Sequence, residues 1–145
     1  MEREIAETKK GDVGGHEPVS LVLPSSAEYV MLARLVAGQV GRLAGFEPED
    51  IYDLKLAVTE AVTNVIRHAA VESYGVEFRL LPGAVEVTVT DTGGGFSVSD
   101  LPREPDDQGG FGLTVIENLV DELVLDSEGD GTRIRMVRRL GGPRD

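Results

Sequence analysis

A two-layer α/β sandwich, with helices on one face of a mixed, mostly antiparallel sheet, is what this 145-residue sequence predicts. Three observations lead there. After one short strand come two segments with helical apolar spacing, a strand–turn–strand meander follows from Val76, and a further helical segment with two short strands closes the chain. No parallel crossover unit is expected, because Gly109-Gly110-Phe111-Gly112 follows a loop and not a strand.

Length and composition bound the reading. A chain of this size forms one domain. We place that domain at residues 18–140, between flexible tails at 1–17 and 141–145. With 41% hydrophobic residues it can fill a core, and with no cysteine it has neither disulfides nor thiolate metal sites. His16 and His68 lie too far apart in sequence to suggest zinc. No apolar run reaches the ~18–20 residues that span a bilayer. Met1 to Pro18 lacks a signal-peptide core. The expectation is a soluble, cytoplasmic protein with no membrane contact. A net charge of −12 argues against direct nucleic-acid binding and would attract a basic protein partner. Plain solubility accounts for that charge as well.

The elements follow in order. Val19 to Leu23 reads as a strand ended by Pro24. Ser25 and Glu28 have capping-box spacing, and the helix after them carries Val30, Ala33, Val36, Ala37 and Val40. Gly41 and Gly45 mark its end. Arg34 and Arg42 lie on a face that suits a dimer or partner surface, or simply water. Pro48, among Glu47, Glu49 and Asp50, signals a second helix start. From Ile51 to Ala69 the residues Ile51, Leu54, Val58, Ala61, Val62, Val65 and Ala69 form one apolar face. Strands are expected at Val76–Leu81 and Ala84–Thr90, joined by Pro82-Gly83, which suits a type II turn. A loop spans Thr92 to Gly110. The next helix carries Leu113, Ile116, Leu119, Val120 and Leu123. Strands near Val124–Asp126 and Thr132–Val137 end the domain.

Chemistry-bearing residues gather on three of these elements. Glu60, Asn64 and His68, four apart, make a stripe centred about 110° from the apolar face, at the border of the core. An ordinary polar flank would look the same. On the strand, Val85, Val87 and Val89 face inward, and Asp91 continues their series. A carboxylate there needs a donor, which a ligand amino group could be, unless it turns outward to cap the loop. Thr132 shares the face of Ile134 and Met136 and would enter the same layer. Carboxylate and hydroxyl together can read a base edge. Two glycine clusters, Gly93-Gly94-Gly95 and Gly109-Gly110, flank the loop, and the second opens a helix whose free N–H groups favour phosphate.

These blocks resemble a known family. Glu60-Ala-Val-Thr-Asn64-Val-Ile-Arg-His68, Asp91-Thr-Gly93-Gly-Gly95, Gly110-Phe111-Gly112-Leu113 and Gly131-Thr132 are similar, in order and spacing, to the four ATP-binding boxes of the gyrase, heat-shock-chaperone and histidine-kinase (GHKL, Bergerat-fold) ATPases. The wording Thr59-Glu-Ala-Val-Thr-Asn64 and Ile116-Glu-Asn-Leu-Val-Asp-Glu122 resembles the anti-sigma-factor serine/threonine kinases among them. The resemblance implies ATP and Mg²⁺ as cofactors, with Asp91 on the adenine amino group and Thr132 supporting it through water. It implies Asn64 as the Mg²⁺ ligand and Arg67 and His68 near the phosphates. Gly93, Gly95, Gly110, Phe111, Gly112 and Leu113 would line the nucleotide, residues 96–109 would form a lid, and Glu60 would be the general base. The implied activity is phosphorylation of a serine-bearing anti-anti-sigma protein, alternating with sequestration of a sigma factor, in a homodimer. The alternative is a nucleotide-dependent module that switches partners without kinase activity, because the acidic lid Glu104-Pro-Asp-Asp-Gln108 carries no cation beside Gly109.

Overall fold

The computed structural model describes residues 17–69, 71–91, 112–126 and 131–141. All but Glu17 and Gly141 of the expected tails at 1–17 and 141–145, and the whole loop from Thr92 to Gly110, fall outside these residues. Strand β1 covers Val19–Pro24, helix α1 Val30–Leu43, helix α2 Pro48–His68, β2 Ser73–Leu81, β3 Ala84–Asp91, helix α3 Gly112–Leu119, β4 Glu122–Asp126 and β5 Thr132–Arg139. The sheet order is β1-β2-β3-β5-β4, and all four pairings are antiparallel. The parallel component that the expected mixed sheet allowed is therefore absent among the described strands. Both layers of the sandwich are present.

The register stacks the buried face into rows. Val76, Val89, Ile134 and Leu125 align across four strands, and Phe78, Val87, Met136 and Leu123 form the next row. Leu80, Val85 and Arg138 follow at one end, and Asp91 pairs with Thr132 at the other. Apolar rows thus fill the middle, and polar groups sit at both ends. The helix layer contributes Ala33, Ala37, Leu54, Val58, Ala61, Val62, Val65 and Ile116 to the same core. Each of the larger aliphatic side chains stabilises the fold by roughly 1.5–3 kcal/mol when fully buried. The outward sheet face is charged, with Glu86 bonded to Arg135 and Arg139 2.8 Å from Glu122.

Helix α2 begins as its sequence dictates, with Pro48 in its first turn and Glu49 and Asp50 beside it, and it ends with Arg67 and His68. The expected capping box of Ser25 and Glu28 does not form. Ser25 N–H instead donates to the Glu72 carbonyl at 2.8 Å, prolonging the β1–β2 association past Pro24. A 3-10 turn at Ala27–Tyr29 intervenes, capped at Ser26 without a side-chain hydrogen bond, before α1 starts.

Gly41 is not the end of α1 but an interior residue where α1 meets α2. A Cβ there would stand 3.0 Å from Ile51 Cγ1, tighter than such contacts normally run. The end comes at Gly45, with φ +83°, where Gly45 N–H donates to Arg42 and Phe46 N–H to Gly41, both at 3.0 Å. That paired pattern is a Schellman closure. Leu123, expected on the third helix, lies on β4, because α3 stops at Leu119.

Candidate functional site

The ion pair that sets the geometry lies at the far end from the candidate site. Arg138, 1% exposed, faces inward from β5; its Nη2 is 2.5 Å from Asp50 Oδ1 and 3.1 Å from Asp53 Oδ2. Its Nη1 donates to the Leu119 carbonyl at 2.7 Å. The start of α2 and the end of α3 are therefore both tied to the Arg138 end of the sheet. Asp50 to His68 spans about 27 Å along α2, and Thr132 to Arg138 about 20 Å along β5. Lying along the sheet, α2 carries its last turns to the Asp91–Thr132 end. The first residue of α3, Gly112, points the same way.

Several of the polar side chains singled out above are buried at that end of the sheet or on α2. Asp91 is fully buried at the end of β3, opposite Thr132, itself buried at the start of β5. On α2, Glu60 and Asn64 are buried, while Arg67 and His68 are half-buried in its last turn. The border position expected for the stripe is exceeded at Glu60 and Asn64. Helix α3 packs against α2 and widens the covered face. Asn64 Nδ2 and His68 Nε2 have no hydrogen-bond partner among the described residues. Buried amide and imidazole nitrogens in that condition suit a polar ligand better than an apolar core. A shallow groove of about 220 Å³ bordered by Ser20, Gly75 and Thr90 lies elsewhere, across β1, β2 and β3.

A sequence model described as the histidine kinase-like ATPase domain matches residues 23–138, spanning every element from the end of β1 to Arg138. The chain belongs to the histidine kinase-like ATPase family. Within it, the chain is 35% identical over 138 residues to the serine-protein kinase RsbW of Staphylococcus aureus strains JH9 and Newman, covering 84% of this chain and 86% of theirs. Among solved structures, the RsbU and RsbW domains of Rv1364c from Mycobacterium tuberculosis superpose with a TM-score of 0.67 at 22% identity. That match covers 86% of this chain and 33% of the longer one. The histidine kinase domain of the blue-light activated kinase EL346 from Erythrobacter litoralis gives a TM-score of 0.52 at 18% identity, over 93% of this chain and 69% of that one. Both structures share the fold of this histidine kinase-like ATPase.

Within the histidine kinase-like ATPase domain, Glu60, Asn64, Arg67, His68, Asp91 and Thr132 are described and lie on the elements expected of them. Gly112 opens α3, and Leu113 is wholly enclosed in the apolar core. Gly93, Gly95, Gly110, Phe111 and the lid at 96–109 lie outside the described residues.

Two buried polar residues were missed. Arg138 shares the inward parity of Ile134 and Met136, the one local signal for its burial; its partners Asp50 and Asp53 lie on α2. Tyr74 shares the parity of Val76, Phe78 and Leu80 but precedes the strand start expected at Val76. Arg34 Nη1 donates to Thr59 Oγ1 at 3.0 Å, linking α1 to α2.

Proposed function

We propose that this chain uses ATP and Mg²⁺ to phosphorylate a serine of an anti-anti-sigma protein and, in its other partner state, sequesters a sigma factor. Membership among kinases related to RsbW supports the serine-kinase reading. The observations that carry it are the burial of Glu60 and Asn64 on α2 and the pairing of buried Asp91 with buried Thr132 at one end of the sheet.

Each side chain has a task in this reading. Asp91 would accept from the adenine amino group, and Thr132 would hold a water beside it. The side-chain oxygen of Asn64 is a hard donor of the kind magnesium takes, and the Nδ2 next to it has no hydrogen-bond partner among the described residues. Bound with the nucleotide, the ion would neutralise charge on the transferred phosphoryl group. Arg67 and His68 add positive charge and donors near the phosphates, and the N–H groups of the first turn of α3 supply more. Glu60, one turn before Asn64, would orient the incoming serine hydroxyl and take its proton.

The kinase domain on this reading is residues 18–140, and it works in the cytoplasm. A homodimer fits the exposed apolar residues Met31, Leu32, Leu35 and Leu43 of α1. They lie on the same helix as Arg34 and Arg42.

The acidic lid keeps a second reading in play, a nucleotide-dependent module that switches partners without transferring phosphate. Incubation with γ-labelled ATP and a serine-bearing antagonist separates the two. Transfer that Glu60→Ala abolishes, with ATP affinity retained, supports the kinase. Nucleotide binding with no transfer to any antagonist supports the module.

A further inference from the structure

Tyr74 stands in line with Asp91 and Thr132. Gly75 pairs with Thr90, so Tyr74 and Asp91 are the next positions along the same two strands, and Asp91 pairs with Thr132. Tyr74 lies on the buried face with Val76, Phe78 and Leu80. One row across β2, β3 and β5 therefore carries a phenol, a carboxylate and a hydroxyl, all on the helix side.

The phenol is 2% exposed, and its hydroxyl has no hydrogen-bond partner among the described residues. Buried tyrosine hydroxyls normally find one, since leaving water without a replacement bond is costly. Phenylalanine would fill the same volume without that cost. Packing alone does not account for the oxygen atom.

We propose that Tyr74 is a third base-reading residue at the purine end of the nucleotide site, its hydroxyl bonding the base edge directly or through a water shared with Asp91. The inference rests on the reading of Asp91 and Thr132 as that end. A phenol both donates and accepts, so it can meet a ring nitrogen that a carboxylate would repel. Polar groups placed in this way reject ligands that lack the matching atom, because the group is then left unpaired in the interior. Tyr74 would thus sharpen the choice of base without touching phosphate.

The test uses the full chain. Wild type, Tyr74→Phe and Asp91→Asn are titrated calorimetrically with ADP and Mg²⁺ and, separately, with inorganic triphosphate and Mg²⁺; ligand-free thermal unfolding is recorded for each. Tyr74→Phe is expected to bind ADP about tenfold more weakly, the worth of one hydrogen bond, with triphosphate affinity and ligand-free melting temperature undiminished. Unchanged ADP affinity, an equal loss with triphosphate, or a lowered ligand-free melting temperature overturns the proposal. If Asp91→Asn weakens ADP binding and Tyr74→Phe does not, Tyr74 alone is misassigned. If neither variant weakens it, the purine-end reading falls too.

Discussion

Arg138 Nη2 meets Asp50 Oδ1 at 2.5 Å inside the protein, at the opposite end of the sheet from Asp91 and Thr132. This contact joins the last strand to the first turn of the long helix. With the bond from Arg138 to the Leu119 carbonyl it also sets which way α2 and α3 run over the sheet. The alignment of the candidate site thus depends on a charge cluster far from it.

Removing Arg138 leaves Asp50 buried with its strongest cation gone. Arg138→Met should lower unfolding free energy by about 3–5 kcal/mol, read from urea denaturation. Adding Asp50→Asn should recover part of the loss, because the stranded charge is then neutral. A double variant no more stable than Arg138→Met alone would show that the pair matters through its hydrogen bonds and not its charge.

On the proposed reading, Asn64 couples nucleotide binding to magnesium. Asn64→Ala should reduce ADP affinity by about tenfold or more in magnesium and by much less in its absence. Calorimetry with and without a chelator measures the difference. An equal loss under both conditions would place the amide on the nucleotide and not on the ion.

Burial raises the Tyr74 pKa above its ordinary value of 10.0. The folded state therefore holds the phenolic proton more tightly than the unfolded chain. Its contribution is complete below pH 10.0 and is lost as pH rises through the higher folded value. Urea midpoints followed from about pH 8 to pH 11 should fall more steeply for wild type than for Tyr74→Phe. Parallel curves would place the alkaline sensitivity elsewhere.

Leu35 lies at the middle of the exposed apolar row on α1. If α1 carries the proposed homodimer contact, Leu35→Lys should shift sedimentation from dimer toward monomer at micromolar concentration and leave the ligand-free fold intact. Sedimentation identical to wild type would move any self-association to another face.

Much of the fold was legible in the sequence, where periodicity is strong. Pro48 and the Ile51–Ala69 face located α2, and the alternation of Val85, Val87 and Val89 turned Asp91 inward. The opposition of Asp91 and Thr132 followed from parity once their strands were taken as neighbours. The strand order did not follow, since nothing local to Thr132–Arg139 states that β5 inserts between β3 and β4. Arg138 was passed over because arginine in an alternating strand usually faces water; only its distant partners on α2 make the inward position tolerable. Tyr74 was hidden by Gly75, which interrupts the strand signal just before Val76.

The sheet order has a consequence for how the protein is made. Residues 132–139 form an inner strand, flanked by β3 and β4. A growing chain on the ribosome therefore lacks a central plank until those residues clear the exit tunnel. Until then β3 exposes an unsatisfied edge, open to wrong neighbours. Synthesis that stalls before Thr132 should yield a species that chaperones hold or proteases clear, with no half-sized domain to rescue.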